Sequence, residues 1–117
     1  MQRFLLTREI LGTILIRVLA ENKEEIQVSE INSSVRIISG EMQKKCNTVV
    51  DYSVRDVYSF VDDYNKYFYL NEGKLIFSEY TKEKLKNNAE EVKDLFNTKF
   101  IAGLPEDVVL AINKIEF

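Results

Sequence analysis

Two strand-like runs separated by three turn residues constrain this chain more than any other feature. Tyr67-Phe68-Tyr69-Leu70 and Lys74-Leu75-Ile76-Phe77 are rich in aromatic and aliphatic residues, and Asn71-Glu72-Gly73 lies between them. A three-residue connection ending in Gly predicts a β-hairpin with a glycine bulge. Alternation assigns Phe68 and Leu70 to one face and Tyr67 and Tyr69 to the other. An isolated two-stranded hairpin is marginal in water, so these strands need helices to pack on.

The residues just upstream supply them. Ser39 reads as the N-cap of a helix running to Cys46, with Glu41 and Gln43 in its first turn and Met42 and Cys46 on one apolar face. Asn47 tolerates the left-handed conformation of a sharp helix exit. After Thr48-Val49-Val50, Asp51 or Ser53 caps a second helix, in which Val54, Val57, Tyr58, Val61 and Tyr64 recur at helical spacing. Helix, turn, helix and hairpin over residues 39–80 resembles a winged helix-turn-helix. The resemblance implies a mainly α fold with a small β-hairpin, a winged-helix-like domain with flanking helices over residues 4–21 and 81–115. A competing register places the two helices at residues 28–35 and 37–50. It puts Asn32 where such motifs carry a small apolar residue and Arg36 where they carry Gly, and it leaves a long insert before the hairpin. The first register is preferred.

The N-terminal flank, Phe4 to Leu19, is the most apolar stretch. Arg8, Glu9 and Arg17 interrupt it, leaving Ile10 to Ile16 as its longest charge-free run, too short to span a bilayer and at the lower edge for a signal segment. It reads as a helix capped by Thr7 and buried on most sides, at the centre of the domain or in a homodimer interface. Residues 26–38 fit either edge strands around Asn32-Ser33-Ser34 or a helix capped by Ser29, and the helix is preferred because Ile31 and Val35 are four apart. Downstream, Thr81 caps a long helix whose stripe is Leu85, Ala89, Val92, Phe96 and Phe100. Gly103 ends it. Pro105 opens a last helix, with Glu106 and Asp107 at its positive dipole end and Val108, Ile112 and Ile115 as its apolar stripe. No internal repeat or linker divides residues 1–117, which read as one domain.

Composition removes most chemistry. The chain has no His, which eliminates His-based acid–base catalysis, Ser–His and Cys–His dyads and most transition-metal sites. The lone Cys46 has no partner thiol and lies on an apolar face, the setting of an inert structural cysteine. There is no phosphate-binding glycine loop and no EF-hand spacing. The reading is a non-enzymatic, cytoplasmic protein with no cofactor, no metal and no membrane segment.

Two classes of partner remain. Double-stranded DNA follows from the winged-helix resemblance, with Arg36, Lys44, Lys45, Arg55 and Lys74 as the phosphate contacts. A protein partner follows from charge and aromatic content. The net charge is −3, and residues 51–80 carry Arg55, Lys66 and Lys74 against Asp51, Asp56, Asp62, Asp63, Glu72 and Glu79. Uncompensated carboxylates weaken binding to phosphates. Nine of the thirteen Phe and Tyr residues fall between Tyr52 and Tyr80, enough both to fill a core and to leave Tyr58, Tyr67 and Tyr69, with Asp62 and Asp63, as a contact face. The DNA-binding regulator or replication accessory is placed first, and the adaptor or inhibitor of a larger protein machine second.

Overall fold

The computed structural model describes residues 3–50 and 52–115. The elements are β1 (Arg3–Leu5), α1 (Thr7–Ala20), β2 (Glu25–Gln27), α2 (Val28–Cys46), β3 (Thr48–Val50), α3 (Val54–Asp63), β4 (Phe68–Asn71), β5 (Lys74–Phe77), α4 (Glu79–Asn87), α5 (Ala89–Phe96), a π-helical turn (Asn97–Ile101) and α6 (Glu106–Asn113). The fold is mainly helical with a small antiparallel sheet, as the patterning predicts. β2, β5 and β4 form that sheet in this spatial order, and β1 pairs in parallel with β3.

The hairpin forms, but with a tighter turn than expected. Asn71 pairs with Lys74, so the loop has two residues. Glu72 and Gly73 have φ of 51° and 75°, the paired positive values of a type I′ turn, whose twist matches that of the flanking strands. A third strand joins the hairpin. Ile26 pairs with Leu75, and the amide of Val28 donates to the carbonyl of Gly73 at 2.9 Å. Residues 26–38 are thus both strand and helix, changing over at Val28.

Neither helix-turn-helix register survives as drawn. Ser39 is not a cap: α2 runs unbroken from Val28 to Cys46, through Arg36, Ser39 and Gly40. Ile31, Val35, Ile38 and Met42 form one buried stripe along it. Burying each such side chain is worth about 1.5–3 kcal/mol, whereas Gly in a helix interior costs about 1 kcal/mol and Ser less. The stripe therefore outweighs the local tendency to break. The exit is as expected, with Asn47 left-handed at φ 47°. Cys46, expected to be buried, is half-buried, its Sγ 3.9 Å from the Asp107 carbonyl oxygen. α3 begins at Val54 after Ser53, whose amide donates to the Asp56 carboxylate at 2.7 Å. The other cap considered, Asp51, lies outside the described residues.

In the N-terminal flank, Phe4 and Leu5 belong to β1, and Thr7 is the first helical residue of α1 instead of its cap. The Glu9 carboxylate accepts from the Leu6 amide at 2.8 Å and satisfies the helix entrance. Ile10, Leu11, Ile14, Leu15, Val18 and Leu19 are all buried within the chain itself. Of the stretch that led to the dimer expectation, Phe4 and Leu6 remain exposed, at 66% and 49%. Gly12 lets the π-helical turn approach α1: a Cβ at this position would fall on the Cβ of Phe100, far inside van der Waals contact. Arg17, on the same helix, donates to the carbonyls of Ile112 at 3.1 Å and Ile115 at 2.6 Å, closing the C-terminal end of α6. Partial burial of its guanidinium lowers its pKa, opposed by the nearby Glu21 carboxylate.

The long helix expected after Thr81 starts three residues earlier, at Glu79, and is broken. Ser78 is its cap, and Thr81 is buried, donating to the Tyr67 carbonyl at 2.9 Å. Asn88 leaves the helical conformation and recaps the chain, its side-chain oxygen accepting from the Glu91 amide. Of the expected stripe, Val92, Phe96 and Phe100 are buried, Leu85 half-buried and Ala89 exposed. Pro105 sits one residue before the first helical position of α6, and Val108, Ile112 and Ile115 are buried as expected. One apolar cluster extends from Leu5 to Ile115. Among the described residues no helix is long and apolar enough to cross a membrane.

Two glycine substitutions test this packing with opposite signs. Gly12→Ala meets the Phe100 Cβ, which cannot swing away as a flexible tip could, and should cost about 3 kcal/mol. Gly40→Ala meets nothing within 4 Å and should add about 0.5–1 kcal/mol by helix propensity. Urea denaturation of the two variants beside the wild type measures both.

Candidate functional site

α3 is positioned by its inner face. Val57, Phe60 and Val61 are buried, and the Phe60 ring lies 5.7 Å from Phe68 and 5.3 Å from Phe100. Of the five apolar and aromatic residues read as its stripe, Val57 and Val61 are buried and Tyr64 is half-buried, while Val54 and Tyr58 are exposed. Phe60 was missed because it lies between the chosen positions. What α3 turns outward is Arg55, Tyr58, Ser59, Asp62 and Asp63. Tyr58, at 55% exposure, shares its side of the helix with Asp62, four residues on. β4 is an edge strand, and Tyr69 on it is also exposed. Tyr67 belongs elsewhere, its ring 5.9 Å from that of Tyr80.

The basic residues read as phosphate contacts do not form one patch. Lys44 and Lys45 are in the last turn of α2, and Lys45 is paired with Glu41 at 2.9 Å, an interaction that lowers the Glu41 pKa. Lys74 pairs in register with Gln27, the residue before α2, and its Nζ is 3.9 Å from Glu25. With a rise of 1.5 Å per residue, Lys74 and Lys44 are separated by about 24 Å along the helix. Arg36, exposed midway, borders an open groove of about 400 Å³ with Asn32, Ser39, Val50, Tyr52 and Val54. Arg55 is in the first turn of α3. Among the described residues no three carboxylate or thiol groups converge to hold a metal ion.

Tyr52 fastens the segment between β3 and α3 to α2. Its hydroxyl donates to the Asn32 side-chain oxygen at 2.9 Å. Burial, assisted by the Asp56 charge, pushes its pKa up from 10 to about 12. A second feature is only partly visible in local sequence pattern. Lys66 and Lys84 lie 4.5 and 5.3 Å from the centre of the Tyr80 ring, and Lys99 lies 5.7 Å from that of Tyr67. Tyr80 and Lys84 are four apart on α4, a pairing helical spacing gives, but Lys66 comes from the α3–β4 connection and Lys99 from the π-helical turn, and no spacing rule joins these to Tyr80 and Tyr67 respectively.

Compared with known proteins, the chain matches no family model, no curated protein and no solved structure. The functional reading therefore rests on geometry.

The Tyr52 contact gives a pH test. A phenol whose folded pKa is raised contributes stability in full below pH 10, its unfolded value, and loses that contribution as the pH rises towards about 12. Tyr52→Phe should cost about 1 kcal/mol at neutral pH through the lost hydrogen bond. It should also remove the latest step of the tyrosinate absorbance titration. Between pH 10 and 12 the stability advantage of wild type over the variant should fall.

Proposed function

We propose that this chain is a non-enzymatic interaction module on a winged-helix-like scaffold, and that it binds a partner protein through α3 and the adjoining edge strand β4. The observation that carries this reading is the outward face of α3, where exposed Tyr58 stands with Asp62 and Asp63 and only Arg55 opposes them in charge. Tyr supplies large contact area with a hydroxyl that remains useful at a wet rim. The carboxylates select for a basic partner surface and against a phosphate backbone. Tyr69, exposed on the edge strand, extends the face.

The scaffold itself supports a second reading, duplex DNA binding. From α1 onward the order is helix, strand, helix, a short strand, helix, strand, strand, with β2 pairing on β5, the last strand. Apart from β3, which pairs with β1, this order resembles that expected of a winged helix, and the resemblance is what supports the DNA reading. Fold alone does not establish function, and the helix that would enter the major groove is the acidic one.

Affinity capture from native lysate, with and without nuclease, separates the readings. The protein reading expects a nuclease-resistant partner whose recovery falls at least tenfold for Asp62→Lys with Asp63→Lys, and for Tyr58→Ala. Loss of all capture on nuclease treatment rejects it. The DNA reading expects salt-sensitive duplex binding at about 50 mM salt, weakened for all sequences by Lys44→Glu with Lys45→Glu. The slope of log affinity against log salt should then shrink by roughly 0.9 per lost contact.

A further inference from the structure

From the cluster around Tyr67 and Tyr80 we infer a second binding surface, one that holds single-stranded nucleic acid. Three ammonium groups from separate parts of the chain face two tyrosine rings whose centres are 5.9 Å apart. A cation within about 6 Å of a ring centre is attracted by the negative face of the ring. Three on one adjoining pair of rings is a concentration of positive charge and aromatic surface. Single strands require this combination, with cations along the backbone and rings on which bases stack.

The backbone under the cluster is well fixed. The Tyr67 carbonyl accepts from the Ser78 amide at 2.8 Å and from the Thr81 hydroxyl at 2.9 Å. The Lys66 carbonyl accepts from the Ser78 hydroxyl at 2.7 Å. These bonds tie the α3–β4 connection carrying Tyr67 to the helix carrying Tyr80. Above this base, the lysine side chains are adjustable. Lys66 and Lys99 are exposed, and among the described residues neither has a carboxylate within salt-bridge distance. Lys84 is held by Glu91 at 2.9 Å, which also raises its pKa. Lys66 and Lys99 are therefore the two ammonium groups available to phosphates; swinging away to meet them takes Lys99 off the Tyr67 ring and leaves Lys84 over Tyr80.

Carboxylates adjoin the cluster, with Asp63 three residues before Lys66, Glu79 and Glu83 on α4 beside Tyr80, and Glu91 on Lys84 at 2.9 Å, so the attraction for phosphates falls to Lys66 and Lys99. A flexible strand fits better than a duplex. The rings are offered to bases, and a duplex keeps its bases stacked within the helix. This inference does not depend on the protein-partner reading of α3.

The test is fluorescence anisotropy of labelled dT20 with the full chain at about 50 and 200 mM salt, alongside a 20-base-pair duplex and unlabelled polyglutamate as competitor. Wild type should bind dT20 more tightly than the duplex, more weakly at higher salt, and without displacement by polyglutamate. Lys66→Glu with Lys99→Glu should weaken binding at least tenfold. For the milder Lys66→Gln with Lys99→Gln, the salt slope should fall by roughly 1.4, about 0.7 for each lost single-strand contact. Tyr80→Leu should weaken binding while leaving the slope unchanged, the mark of lost stacking. Lys44→Glu with Lys45→Glu should change dT20 affinity less than twofold, whatever it does to the duplex. Circular dichroism confirms that each variant is folded, and the Gln pair stands in if the Glu pair is not. No salt-sensitive binding of dT20 overturns the inference, as do equal affinity for the duplex, displacement by polyglutamate, and lysine variants that bind like wild type.

Discussion

The packing of aromatic rings around Phe68 is the contact on which the remaining arrangement depends. Its fully buried ring lies 5.6 Å from both Phe77 and Phe96 and 5.7 Å from Phe60. One side chain on β4 thereby joins the hairpin partner, α3 and α5. Phe96 passes the contact to Phe100 at 5.4 Å, and Phe100 sits against α1 at the one position where α1 has no Cβ. Hairpin, α3, the C-terminal helices and the N-terminal helix are thus held by one run of phenylalanines with a glycine at its end. Ring pairs of this kind contribute about 0.5–1.5 kcal/mol beyond the area they bury. Their larger effect is geometric, since a ring stacked on several elements fixes their relative angles.

The surface follows from how the core uses the chain. With Phe60, Phe68, Phe77, Phe96 and Phe100 inside, most tyrosines are left at the boundary, where a ring can pack on one side and keep its hydroxyl near water. Tyr52 spends this on structure, through Asn32. Tyr58 and Tyr69 are exposed. Tyr67 and Tyr80 gather lysines. The charge near each group differs in sign, with Asp62 and Asp63 beside Tyr58 and three lysines around the Tyr67–Tyr80 pair. In a chain with net charge −3, acidic and basic side chains thus gather beside different tyrosines, which total charge alone would hide.

Much of the candidate site was legible in the chain and part of it was not. Tyr58 and Asp62 could be placed together because four residues are one helical turn. Tyr69 could be turned outward because strands alternate. The proposed phosphate contacts are grouped by their place on the expected helix-turn-helix and wing, and α2 defeats that grouping by being one long helix, with Lys44 at one end and Lys74 beside the other. The lysine–tyrosine cluster was out of reach for the complementary reason. Lys66, Lys84 and Lys99 are separated by more than a dozen residues each, and the first two meet where the Tyr67 carbonyl and Thr81 tie the α3–β4 connection to α4.

The sequence by itself determined the hairpin strands, the left-handed exit at Asn47, the helical stripes of α5 and α6, and the mainly helical character of the chain. Each of these is set by energies that act within a few residues: turn conformation, capping and side-chain periodicity. Tertiary structure decided the rest. It kept α2 whole through Ser39 and Gly40, because burying one continuous stripe outweighs a local preference to break. It recruited Glu25–Gln27 as a third strand, since an exposed hairpin edge gains hydrogen bonds from any extended segment that the topology delivers. It also covered α1 from within the chain, and that depended on the close approach of Phe100 to Gly12, two residues whose relation appears only after the chain has folded.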